Sequence, residues 1–85
     1  MRTIVINAMR LQDRETAHAY LQKRLKSPEY HGSNLDALYD VVSALGNETR
    51  ILILHSRKVN DYGTKVLATL EDAAEANENL RIFEL

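Results

Sequence analysis

The sequence predicts an α/β fold, a three-stranded parallel sheet packed with three to four helices. Three observations carry this. Short β-branched and apolar runs occur at Thr3–Asn7, Arg50–His55 and Leu80–Leu85. The segments between them space their apolar residues at helical intervals. The middle run contains Ile51-Leu52-Ile53-Leu54 without a polar break, the pattern of a strand buried on both faces of a parallel sheet.

Thr3–Asn7 reads as the first strand because β-branched residues suit the pleated backbone. Asp13 is a plausible N-cap for a helix running to about Leu25, with Ala17, Tyr20, Leu21 and Leu25 on one face. Ser27-Pro28 ends it, since proline pushes the preceding residue out of the helical region. Gly32 permits a tight turn. Ser33 is expected to cap the second helix, with Asp36 three residues on in the manner of a capping box. Leu35, Leu38, Tyr39, Val42 and Leu45 form its apolar stripe, and Gly46-Asn47 closes it. After the second strand, Ser56–Tyr62 is a polar connection with room for one helical turn. Gly63 precedes a longer helix, Thr64–Asn77, with Val66, Leu67, Leu70, Ala73 and Ala74 inward. The order β-α-α-β-(α)-α-β implies crossover connections and parallel strands. With three strands, most helices can pack on one face.

Eighty-five residues, 45% of them hydrophobic, predict a single domain over 1–85 with one modest core. Cysteine is absent, so no disulfide or thiolate metal site exists; this fits a reducing compartment. No apolar run approaches the ~20 residues of a membrane helix, and the N-terminus has no signal-peptide pattern. The expectation is a cytoplasmic chain without a membrane partner.

The net charge of −1 hides an uneven distribution. Residues 1–33 carry a net +3, whereas residues 34–49 hold Asp36, Asp40 and Glu48 with no basic residue. Residues 69–79 add Glu71, Asp72, Glu75 and Glu78, again without Lys or Arg. Acid-only blocks disfavour nucleic-acid binding and favour a basic protein partner. A solvated helix face is the plainer reading of either block alone. Lys23, Arg24 and Lys26 cluster at a helix C-terminus, where the macrodipole explains them.

Asp36 and Asp40 lie one turn apart on the second helix and repel unless something neutralises them. Asp36 has an explanation within the chain, because an acidic residue in the first turn complements the helix dipole. Asp40 is too far along to cap and has no Lys or Arg three or four residues away. An enzyme is disfavoured. His31, Asp36, Asp40 and His55 follow no metal-ligand spacing such as HxxxH or HExxH. The glycines Gly32, Gly46 and Gly63 are too scattered to cradle phosphate. No cofactor is expected.

The run Pro-Glu-Tyr-x-Gly-x-Asn-Leu-Asp-Ala-Leu-x-Asp, from Pro28 to Asp40, resembles the signature of the barstar family of ribonuclease inhibitors. The element order resembles that family's fold from end to end. The resemblance implies a small cytoplasmic inhibitor of a microbial ribonuclease. It would insert the second helix and the preceding loop into the basic active site, where acidic side chains take the places of RNA phosphates. Matched by position, Asp36 and Asp40 fall on the family's contact aspartates and Tyr30 on an aromatic loop contact. Asn34 and Leu35 fall on contacts at the start of the helix, Ser43 and Ala44 on small residues near its end. On the last helix Asp72 falls on an acidic contact, with Glu75 one turn on. His31, Tyr39 and Leu45 depart from the family's best-known member, which has Tyr, Trp and an aromatic residue there; target choice is expected at these positions and at Tyr30 beside them.

Each assignment has a plainer counterpart. Tyr30 could simply cover the core from its loop. Tyr39 sits beside the apolar stripe, and His31 could be an exposed loop residue. The expected partner is one basic ribonuclease per monomeric chain, as in a toxin–antitoxin pair. The alternative is an immunity protein that uses the same surface against another basic nuclease toxin. A third reading is a domain that reuses this fold for an unrelated regulatory contact.

Overall fold

The computed structural model describes residues 1–27, 30 and 34–85. Among them the strands are β1 (Arg2–Asn7), β2 (Thr49–Leu54) and β3 (Leu80–Glu84). The helices are α1 (Arg14–Leu25), α2 (Leu35–Ser43) and α3 (Asp61–Ala76), with short 3-10 turns at Ala8–Arg10 and Ser56–Lys58. All strand pairs are parallel, as the sequence predicts, and the sheet order is β1-β2-β3.

Register places Ile4 beside Ile51 and Ile82, and Ile6 beside Ile53. On this face Ile4, Ile6, Thr49, Ile51, Ile53 and Leu80 are buried, and the five apolar ones share one cluster with buried apolar residues of all three helices. Val5, Leu52 and Phe83 make a row on the opposite face. There Val5 and Leu52 are half-buried, and Phe83 is 42% exposed. The expectation that β2 is buried on both faces is therefore corrected. Alternation of side chains along a strand sends Leu52 and Leu54 away from the helices.

Local chemistry explains the helix ends. Asp13 Oδ1 accepts from the Thr16 amide at 2.9 Å, the predicted N-cap. Lys26 ends α1 by adopting φ 52°, ψ 37°, one residue before the predicted Ser27-Pro28 stop. The Asn60 side chain caps α3 by accepting from the Gly63 amide at 3.0 Å. Gly63 thus lies inside the first turn of α3 rather than before it. It is buried, and a Cβ placed there would sit 2.8 Å from Val59 Cβ and 3.1 Å from the Leu11 carbonyl oxygen. The glycine is needed for close packing and does not break the helix.

Helix α2 ends at Ser43 with Ala44 as its C-cap, ahead of the predicted Gly46-Asn47. The α2 and α3 helices run side by side in the same direction. Tyr62 and Lys65 of α3 share a groove with Asn34, Leu35 and Asp36. At the far end, Asn77 Nδ2 donates to the carbonyls of Val42 and Leu45 at 3.2 and 3.0 Å.

Candidate protein-binding site

The N-cap of α2 is Asn34, not Ser33. Asn34 has an extended backbone and its Oδ1 accepts from the Ala37 amide at 2.7 Å. Either residue type can cap a helix, and Ser33 lies outside the described residues. Asp36 is consequently the second helical residue, one short of the capping-box position. It still lies in the first turn, where the backbone N–H groups favour a negative charge.

Leu38, Val41 and Val42 are buried and hold α2 to the core, with Leu35, Ala37, Tyr39 and Leu45 packed against that cluster. Asn34, Asp36, Asp40 and Ala44 are exposed, and Leu35, Tyr39 and Ser43 are half-buried. The Ser43 hydroxyl donates back to the Asp40 carbonyl at 3.3 Å, so it serves the helix as well as facing its surface. Asp36 and Arg14, Lys65 and Tyr62 line one groove, which gives the Asp36 charge cationic neighbours on α1 and α3. The α2 segment itself contains no basic residue. Asp72 and Glu75 are exposed on the half of α3 that ends at Asn77. His31 lies outside the described residues.

Tyr30 requires a correction. Its side chain is 1% exposed, so it offers no surface to a partner. Its hydroxyl is hydrogen-bonded to His18 Nδ1, its carbonyl accepts from Gln22 Nε2 at 3.2 Å, and its amide donates to the Ser27 carbonyl at 3.2 Å. The ring fills the core because a buried phenol has a polar partner waiting there.

His18 is the residue that the sequence reading missed. It is 2% exposed, and its Nε2 lies 2.5 Å from the Tyr62 hydroxyl. Both tyrosine rings meet the imidazole edge-on. A neutral imidazole has one N–H and one lone pair. One tyrosine therefore donates to it while the other accepts. Desolvation, and then the charge of Arg14, push the His18 pKa below its usual value. Burial pushes the Tyr30 and Tyr62 hydroxyls up. A histidine between two alanines on a helix carries no sequence signal of this network.

The sequence pattern of the family described as Barstar (barnase inhibitor) matches residues 1–84. The chain belongs to the barstar family. A protein of Bacillus subtilis (strain 168) with the name "Putative ribonuclease inhibitor YrdF" is 30% identical over 80 residues, covering 88% of each chain. The fold of this barstar-family chain is the arrangement expected from the resemblance.

Among the described residues, no group of three His, Asp or Glu side chains is placed to hold a metal ion. No described helix is long and apolar enough to cross a membrane. In this barstar-family chain Glu71 is exposed, and it shares a groove with Glu84 of β3. Desolvation, then the hydrogen bond and charge of Glu84 and the charge of Glu75, raise its pKa.

Proposed function

We propose that this chain inhibits a microbial ribonuclease by presenting the exposed face of α2 to the enzyme's basic active site. Membership of the barstar family over residues 1–84 supports the inhibitor role, and so does the name of the Bacillus subtilis relative. The observation that carries the mechanism is Asp40. It is exposed at mid-helix on a segment with no basic residue, while its neighbours Leu38, Val41 and Val42 fix the helix to the core.

A ribonuclease must bind phosphate, and so gathers Arg, Lys and His. A carboxylate on a rigid helix can accept charge-assisted hydrogen bonds from such a cluster, two at once from Arg. In this reading Asp40 is the principal phosphate mimic and Asp36 supports it. Asn34, Leu35, Tyr39, Ser43 and Ala44 surround them, His31 is a further contact by the family resemblance alone, and Asp72 and Glu75 extend the acidic surface. The chain acts by occupying a site and performs no chemistry itself. The proposed complex is one inhibitor to one nuclease, formed in the cytoplasm as an immunity function. Inhibition of a different basic nuclease toxin would use the same surface; no observation favours it over a ribonuclease.

Titration of the purified chain into RNA-cleavage assays with a panel of microbial ribonucleases tests the proposal. The expected result is stoichiometric loss of cleavage for at least one enzyme. Full activity of every member at micromolar inhibitor would overturn it.

A further inference from the structure

The three-point attachment of Tyr30 lies only four residues ahead of the α2 cap. Its amide, carbonyl and hydroxyl are all bonded within the segment from His18 to Ser27. Tyr30 and Asn34 are four residues apart in the sequence, so the chain can hold them no more than about 14 Å apart. The start of α2 is thus tethered to α1 through Tyr30. From its other ring nitrogen His18 reaches Tyr62, in the first turn of α3. Tyr62 also lines the groove that contains Asn34, Leu35 and Asp36. One imidazole therefore joins α1, the chain leading into α2, and the start of α3. No buried side-chain polar atom among the described residues is left without a partner.

We propose that His18 is a positioning residue of the inhibitory surface, holding Tyr30 and Tyr62 so that residues 34–36 are presented to the nuclease in one geometry. This rests on the inhibitor reading above. His18 and the Tyr30 hydroxyl are buried, so neither touches the partner. Their influence on binding passes through the start of α2. Docking a surface of fixed geometry loses less entropy than docking a loose one. Loosening it shows mainly in the dissociation rate.

Tyr30→Phe is the informative variant, because it keeps the buried ring and removes only the hydroxyl that His18 holds. His18→Gln, which retains a donor and an acceptor, is its companion. Two measurements are needed. Amide hydrogen exchange of the free protein reads Ala37, whose N–H is held by the Asn34 cap, against Ile51 and Ile53 in the central strand. Inhibition kinetics then read association and dissociation rates against the ribonuclease found by the panel. Tyr30→Phe is expected to lower Ala37 protection selectively and to speed dissociation about tenfold, with association nearly unchanged. His18→Gln should fall between it and the wild type. Unchanged Ala37 protection, equal loss of protection across β2, or unchanged dissociation would each overturn the proposal. If the wild-type chain inhibits no nuclease, the functional reading fails and the inhibitory part of this proposal falls with it. The exchange pattern still decides whether His18 fixes the start of α2.

Discussion

Asn77 Nδ2 donates to the carbonyl of Val42 at 3.2 Å, joining the end of α3 to the end of α2. The same nitrogen donates to Leu45 at 3.0 Å, and Asn77 Oδ1 accepts from the Asn79 amide at 3.0 Å. Helix ends leave carbonyls without intrahelical partners, and here one buried amide serves the C-terminal carbonyls of a neighbouring helix. The sequence marks Asn77 only as the end of its own helix. The structure makes it the clamp that holds the far end of the candidate binding helix.

Asn77→Asp keeps the shape and removes the donor. It aims a carboxylate at two carbonyl oxygens in a nearly solvent-free position, so it should cost about 2–3 kcal/mol, more than Asn77→Ala. Urea unfolding of both variants checks this. Asn77→Asp as stable as the wild type would show that the two carbonyls do not depend on the amide.

His18 sets a pH dependence whose sign follows from its environment. Burial, then Arg14, hold its folded pKa below the usual 6.5. The other titratable groups that face it are the hydroxyls of Tyr30, ahead of α2, and Tyr62, on α3. Above pH 6.5 the ring is neutral in both folded and unfolded chains, and its contribution is fully present. As pH falls below that value the unfolded chain takes up a proton that the folded chain resists. Stability is then lost until the depressed folded pKa is reached, by at most about 1.4 kcal/mol per pH unit. Protonation also makes both ring nitrogens donors, leaving one tyrosine hydroxyl without its acceptor. Denaturant unfolding between pH 8 and 5 should show this fall in the wild type and a shallower one in His18→Gln. Parallel curves would refute it.

The legible and illegible parts of the chain divide by the range of the interaction. The strands were readable because β-branched runs report their own geometry, and the Asp13 cap because its partner, the Thr16 amide, is three residues away. The α2 cap lies one residue later than the sequence predicts because Ser33 and Asn34 carry equivalent local signals. Gly63 looks like a boundary in the sequence because its reason is tertiary, the approach of Val59 and the Leu11 carbonyl. His18 meets Tyr30 across 12 residues and Tyr62 across 44. No local pattern reports such a meeting. For the same reason Tyr30, matched by position to a contact, proved to be an anchor. At the candidate site, the exposure of Asp36 and Asp40 followed from the position of the apolar stripe. The cations beside Asp36 come from other helices and could not be seen.

Gly63→Ala tests the packing argument because helix propensity predicts the opposite sign. Alanine inside a helix is favoured over glycine by about 1 kcal/mol. Here its methyl group would meet the Val59 side chain at 2.8 Å and a backbone oxygen at 3.1 Å. The expected outcome is a net loss of about 1–3 kcal/mol, seen as a lower Tm. A rise in Tm would show that Val59 moves aside without cost.

Glu71 of α3 and Glu84 of β3 line one groove, two acids with no donor between them unless one carries a proton. Desolvation first, then Glu84 and Glu75, raise the Glu71 pKa above 4.5. A carboxyl with a raised folded pKa contributes its stability below the ordinary value and loses it as pH rises through the folded one. At neutral pH the pair is repulsive. Glu84→Gln supplies an amide donor to Glu71 and should raise the Tm at pH 7 while leaving it nearly unchanged at pH 4. Glu71 is exposed, so the gain is modest. A lower Tm at pH 7 would mean that the pair is held by something other than a proton.

Asp40 and Glu48 are both exposed acids on the same stretch of chain, but they differ in what surrounds them. Asp40 is fixed on a helix whose inner face is packed. Glu48 lies just before β2, and its carbonyl accepts from the Arg2 amide at 2.9 Å. In the proposed complex Asp40 is desolvated against basic groups of the nuclease, and removing it leaves those charges buried and unpaired. Asp40→Ala should therefore weaken inhibition by about 3 kcal/mol, on the order of a hundredfold in Kd. Glu48→Ala should change binding by no more than about 0.5 kcal/mol. Added salt should slow association by screening the long-range attraction between acidic helix and basic cleft. Competition titrations with both variants give the two affinities, and stopped-flow association at two ionic strengths gives the rate. Equal losses for the two alanine variants would remove Asp40 from the centre of the interface.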